Sequence, residues 1–159
     1  MDWKFETLVE HLPVEKEKIR VKRLHPDAKL PTFQTKGSVG ADLYSVVNVD
    51  ILPGHVHIVD LGFSVSIPPG LEIQIRPRSG LAANHGITVL NSPGTVDSDY
   101  RGEMKVILIN LSNSVFRISK GDRIAQAVVA YVPSITYEEV EELDETTRGG
   151  AGFGSTGRN

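Results

Sequence analysis

From residue 19 onward, apolar residues come in short runs broken by Gly, Pro and Asn: Ile19-Arg20-Val21, Ile51-Leu52, Val56 to Ile67, Leu71 to Ile75, Ile87 to Leu90, Met104 to Leu111 and Ile124 to Val132. Short β-rich runs bounded by turn residues at this spacing predict antiparallel strands and an all-β fold. Around Pro68-Pro69-Gly70, the apolar Val65, Ile67, Leu71, Ile73 and Ile75 alternate with Ser66, Glu72 and Gln74, which predicts a hairpin with one buried face. Met104 to Leu111 is apolar except at Lys105 and Asn110. That pattern suits a strand covered on both faces, in a closed barrel or against another subunit. Helical signals are few. Phe5, Leu8, Val9 and Leu12 recur at i, i+3, i+4 and i+7 between Asp2, an N-capping residue type, and Pro13, a helix stop. Residues 1–18 are therefore an extension carrying a short amphipathic helix suited to docking. Ser79 to Asn84 predicts a second helical turn, ended by His85-Gly86.

Composition narrows the class. The chain has 159 residues, 40% of them hydrophobic, and a domain of this size buries roughly 70% of its unfolded surface, so one β domain over residues 19–143 needs no staple. With Cys 0, disulfides and thiolate metal sites are excluded and an intracellular home is favoured. Lys+Arg 17 against Asp+Glu 20 gives a net charge of −3, which argues against a general electrostatic grip on nucleic acid or anionic lipid. Asp2, Glu6 and Glu10 interrupt the first dozen residues, unlike a secretory signal. Apolar runs such as Ala127 to Val132 fall far short of the roughly 20 residues of a spanning helix. A cytoplasmic protein with no nucleic-acid or membrane partner is expected. Residues 144–159 differ in kind: Gly-rich, with one aromatic, they form a mobile C-terminal arm. Their glycines leave bare N–H groups able to close around an anion.

Five clusters hold polar residues that a β-fold does not need for itself. Gly37 to Leu43 sets Asp42 beside a flexible turn. Arg76-Pro77-Arg78-Ser79-Gly80-Leu81-Ala82 ends a strand and starts a helical turn, offering N–H groups, a hydroxyl and a guanidinium to phosphate. It lacks the Gly-x-x-x-x-Gly-Lys-[Ser/Thr] pattern of a P-loop. Asn91 to Glu103 packs three carboxylates near an aromatic; Asp99 and Glu103 read as solvated or paired with Arg101, whereas Asp97 follows β-branched Thr95-Val96 and can be aimed inward. Lys120 to Gln126 feeds an apolar strand in which Gln126 is a polar exception. The arm is the fifth cluster. His11, His25, His55, His57 and His85 show no metal-ligand spacing.

Gly40-Ala41-Asp42-Leu43, Arg78-Ser79-Gly80-Leu81, Gly94 to Gly102, Gly121 to Gln126 and Arg148 to Gly157 resemble, in order, the five motifs of the trimeric dUTP pyrophosphatases, over about Ile19 to Gly157. The resemblance implies a homotrimer of jelly-roll-like β-barrel or sandwich subunits with a flexible Gly-rich C-terminal arm, hydrolysing dUTP to dUMP and pyrophosphate with Mg²⁺. Such an activity keeps dUTP low and supplies dUMP for thymidylate synthesis. Each active site would draw on three chains: the first, second and fourth motifs from one, the third from another, the arm from the remaining one.

Under that resemblance, Asp97 holds and deprotonates the water that attacks the α-phosphorus. Arg78, Ser79, Gly80 and Gln126 receive the phosphates, and Arg148, Gly154, Ser155 and Thr156 arrive on the arm, with Arg148 clamping the γ end. Asn91, in the Ile87 to Tyr100 hairpin with Gly94, reads uracil. Tyr100 packs under the sugar and excludes a 2′-hydroxyl, and Phe153 stacks on the base. Asp42 lies near the water shell of Mg²⁺, without direct coordination. Ala151 departs from the usual glycine of the arm. Three rival readings remain: a dCTP deaminase of the same superfamily, a non-catalytic nucleotide sensor, and a plain β-sandwich with a disordered tail.

Overall fold

The computed structural model describes residues 17–152; the N-terminal helix expected from Phe5 to Leu12 lies outside them. Ten strands and one helix follow in order: β1 (Arg20–Arg23), β2 (Ala41–Tyr44), β3 (Val49–Ile51), β4 (Val56–Ser66), β5 (Leu71–Arg76), α1 (Ser79–His85), β6 (Ile87–Val89), β7 (Gly94–Val96), β8 (Glu103–Asn110), β9 (Phe116–Ile118) and β10 (Arg123–Tyr131). Two four-stranded sheets, β1-β4-β8-β6 and β2-β10-β5-β7, and the pair β3-β9 are all antiparallel. The all-β expectation is met. The core between the sheets holds Leu43, Val59, Leu61, Phe63, Ile73, Ile75, Val106, Leu108 and Ile124, each at most 4% exposed.

One expectation needs correction. Strands β4 and β5 do not form a hairpin; they lie in different sheets, joined by a turn in which the Leu71 N–H donates to Pro68 O (3.2 Å) and Gly70 takes φ 82°. Pro68 and Pro69 have no N–H to give a ladder, so the chain crosses between layers there. The alternation itself holds: Val65, Ile67, Leu71, Ile73 and Ile75 are buried, with Ser66, Glu72 and Gln74 half-buried. Within one chain β8 is buried on one face and half-covered on the other, which leaves the alternative of cover by another subunit. Met104, Val106, Leu108 and Asn110 are buried, Ile107 and Ile109 only half so, and Val56 and Ile58, paired across from Ile109 and Ile107, are 46% and 56% exposed.

Asn110, polar at the end of an apolar strand, ties the sandwich edge together. Its amide donates to Ile51 O and Ser114 O (both 2.8 Å), and its carbonyl accepts from the Ser112 N–H (2.9 Å) and hydroxyl (2.7 Å). Every polar capacity it has is thus used inside the protein. Helix α1 ends at Gly86, whose φ of 64° and N–H bond to Ala82 O make a left-handed cap. Its start opens on the polar cluster described next.

Candidate active site

Strand register brings three distant stretches together. In the β10–β2 pair, Gln126 faces Asp42; in the β10–β5 pair, Gln126 faces Arg76, two residues before Arg78. A pocket of about 360 Å³ results, with Asp42, Arg78, Ser79, Gly80 and Gln126 in its wall beside Gln34, Ser38 and Arg123. The first, second and fourth clusters of the sequence therefore meet in one chain.

Asp42 is the centre of this pocket's electrostatics. Its side chain is 10% exposed; Oδ1 lies 3.1 Å from Arg78 Nε and Oδ2 3.2 Å from Arg123 Nη1. Arg78 Nη1 also donates to Arg123 O (3.1 Å), so a single carboxylate fixes two guanidiniums and one guanidinium bridges back to the backbone. Sequence reasoning missed Arg123 as part of the site. Its position inside the fourth motif was visible, but its partner appears only once β2 and β10 pair. Gln126 donates to Pro77 O (2.9 Å) and lies so close to Gly40 that a Cβ there would sit 2.1 Å from its Oε1. Glycine at position 40 thus leaves the Gln126 amide its place; a side chain there would push that amide aside.

A second cavity, of about 310 Å³, is lined by Asn91, Asp97 and Tyr100 over an apolar wall that includes Ile75, Val96 and Met104. Asp97 stands one residue past β7 and is exposed on the cavity wall. The short β7 ends before the position is reached, so the strand's alternation does not govern it. A Cβ on Gly94 would lie 3.1 Å from Asn91 Nδ2, so the glycine leaves the Asn91 amide its place. Tyr100 folds back over Gly102 and donates its hydroxyl to Glu103 O (3.0 Å). Arg101 pairs with neither Asp99 nor Glu103: its Nη1 donates to Ser98 O (2.6 Å) and Tyr100 O (2.8 Å), while Glu103 meets Lys105 (3.6 Å) and accepts from the Gly62 N–H (3.1 Å).

The two pockets share no lining residue. Arg148 lines neither; it is exposed and donates from Nε to Ala151 O (2.9 Å) in a turn of the arm. Phe153, Gly154, Ser155 and Thr156 lie outside the described residues. No group of three or more His, Cys, Asp or Glu that could hold a metal occurs among the described residues, nor does a helix long and apolar enough to cross a membrane.

The fold and its cavities define an antiparallel β-sandwich with one pocket walled by Asp42, Arg78 and Arg123 and a separate, part-apolar cavity at Asn91, Asp97 and Tyr100. The comparisons give the particular family. A family model described as dUTPase matches residues 26–157. Deoxyuridine 5'-triphosphate nucleotidohydrolase of Nautilia profundicola is 55% identical over 141 residues, covering 89% of this chain and 99% of its own, and that of Helicobacter pylori strain P12 is 54% identical over 140 residues, covering 88% and 97%. Among solved structures, a mutant dUTPase of Staphylococcus bacteriophage 80alpha with dUpNHpp superposes with a TM-score of 0.83 at 25% identity, covering 89% of this chain and 99% of that one. The chain belongs to the dUTPase family.

Proposed function

We infer that this protein hydrolyses dUTP to dUMP and pyrophosphate by attack of water on the α-phosphorus. The observation that carries the reading is the convergence of Asp42, Arg78, Ser79, Gly80 and Gln126 on one pocket in a chain of the dUTPase family. Guanidiniums, a hydroxyl and an amide gathered in one pocket match the charge that builds on a departing pyrophosphate. Arg78 grips phosphate through the nitrogens that Asp42 leaves free, and the Asp42 bond to Nε aims them. In the other cavity Asn91 reads the base edge, Tyr100 closes the sugar side, and the exposed Asp97 carboxylate orients the attacking water and takes its proton.

Mg²⁺ fits this donor set as an ion carried on the triphosphate. The phosphate pocket contributes one carboxylate, already paired with two arginines, and the described residues offer no cage of three. Mg²⁺ keeps several waters and is commonly held by phosphates plus one or two carboxylates; Asp42 retains lone pairs for one such water. When bound, the ion neutralises phosphate charge.

We propose further that the complete site is assembled between copies in a homotrimer, with the arm of a further copy closing it; that the two pockets of one chain are lined by different residues supports this reading. Two exposed surfaces support this: the half-covered face of β8 and β4, and the segment after β10, where Ile135, Tyr137 and Leu143 are 66%, 97% and 84% exposed. Mixing tests it. Asp97→Asn and Arg78→Ala subunits, each inactive alone, recover about a quarter of wild-type activity when unfolded and reassembled 1:1, because each site draws the two residues independently from different chains. No recovery would place both residues in one chain's site. Asp97→Asn alone keeps nucleotide binding while turnover falls by about 10²–10⁴-fold or more.

A further inference from the structure

The pocket around Asp42 also takes residues from the loop that precedes β2, ahead of the first motif: Gln34 and Ser38 line it. Ser38 closes its own turn. Its N–H donates to Thr35 O (3.2 Å), and its hydroxyl accepts from the Thr35 N–H (3.1 Å) and meets the Thr35 hydroxyl (2.9 Å). Gln34 is held differently. Its Nε2 donates to Thr32 Oγ1 (3.2 Å) and reaches Tyr44 Oη (3.4 Å), and those two hydroxyls bond to each other. Thr32 is in turn fixed to the strand that carries the pocket's carboxylate: the Asp42 N–H donates to Thr32 O (2.8 Å) and the Thr32 N–H to Asp42 O (3.3 Å). Tyr44 stands two residues beyond Asp42 on β2, hence on the same face of the sheet, and Lys29 Nζ lies 5.2 Å from its ring centroid. An exposed glutamine is thus tied by its nitrogen end to the strand of Asp42. Its Oε1 has no partner among the described residues.

We propose that Gln34 is a further positioning residue for the reaction, its Oε1 accepting a hydrogen bond from a water of the Mg²⁺ carried on the triphosphate. The inference rests on the dUTP reading above. Water held on Mg²⁺ presents its hydrogens outward and needs acceptors around it. Asp42 is the one carboxylate among the described residues of the pocket wall, and each of its oxygens already meets a guanidinium. A neutral amide oxygen supplies a further acceptor and sets no second negative charge beside the triphosphate. The hydroxyls of Thr32 and Tyr44 engage the nitrogen, so the oxygen is the end left for the pocket.

Binding of dUpNHpp, in which an NH replaces the bridging oxygen that hydrolysis would release, is measured calorimetrically on the full-length protein with Mg²⁺ and with a chelator. The wild type binds more tightly with Mg²⁺. Gln34→Ala cuts that ratio of affinities by about 2–10-fold, the effect of one hydrogen bond, and leaves metal-free binding unchanged. Gln34→Glu, which keeps an acceptor and adds a charge, holds the ratio at or above the wild-type value while weakening metal-free binding. An unchanged ratio in Gln34→Ala overturns the proposal. So does a loss of equal size with and without Mg²⁺, which would make Gln34 a donor to phosphate, or a ratio in Gln34→Glu as low as in Gln34→Ala. Failure of the dUTP reading looks different: the wild type then binds the analogue under neither condition, and both fall.

Discussion

Replacing Asp42 by Asn removes the charge that holds Arg78 and Arg123. The carboxylate is 10% exposed and meets the two guanidiniums at 3.1 and 3.2 Å. Hydrogen bonds to charged groups contribute about 1.5–3 kcal/mol each when shielded. Arg78 and Arg123 are 26% and 44% exposed, so water replaces part of what is lost, and the combined cost is about 2 kcal/mol. For a domain of this size that lowers Tm by about 4–8 °C. The asparagine NH₂ would also face a guanidinium donor with a donor, releasing Arg78 from its aim at the phosphates. A loss of about 10–100-fold in kcat/KM follows, the equivalent of about 1.4–2.8 kcal/mol, carried mainly by a higher KM. Thermal unfolding and steady-state pyrophosphate release at several Mg²⁺ concentrations measure both effects. A Tm within 1 °C of wild type with unchanged KM would refute the arginine-holding role. A shift confined to the Mg²⁺ half-saturation point would leave Asp42 with a metal-water contact only.

Asn110→Ala removes four hydrogen bonds from a fully buried side chain and takes the buried amide donor from the Ile51 carbonyl, so denaturant unfolding shows a loss of about 2–4 kcal/mol with normal activity per folded molecule. Gly102→Ala places a Cβ 2.3 Å from Tyr100 Oη; displacement of the ring raises the UTP-to-dUTP ratio of kcat/KM, and an unchanged ratio would separate Tyr100 from sugar selection. The Lys120 ammonium, 2.5 Å from Asp27, holds that carboxyl below its usual range. A depressed carboxyl stabilises above its unfolded pKa and ceases to as pH falls through the folded value. A small Tm difference between wild type and Asp27→Asn should therefore be present at pH 7, vanish in acid, and shrink in high salt.

Alternation made most strands legible, because a half-buried strand must present apolar side chains every second residue. The same signal says nothing about which strand lies alongside, and so β4 and β5 read as a hairpin although they belong to opposite sheets. Strands β2 and β9 escaped notice for another reason. Four and three residues are too few for a period to show, and β2 carries Asp42 where an apolar residue would have marked it. The candidate residues were legible as ordered motifs. Their grouping was not: Asp42 and Gln126 lie far apart in sequence and become neighbours only through the β2–β10 register, which also reveals Arg123 as the second cation on Asp42. Asp97 was singled out as a polar residue after β-branched neighbours, but β7 ends too early for strand alternation to orient it.

The central claim is the release of pyrophosphate from dUTP at a site that reads both uracil and deoxyribose. Pyrophosphate and ammonia are measured in parallel with dUTP, dCTP, dTTP and UTP at saturating Mg²⁺. Rapid pyrophosphate release from dUTP, with the other three turned over at least about 10²-fold more slowly and no ammonia from dCTP, is the predicted result. Ammonia from dCTP, or pyrophosphate from all four at similar rates, would contradict it.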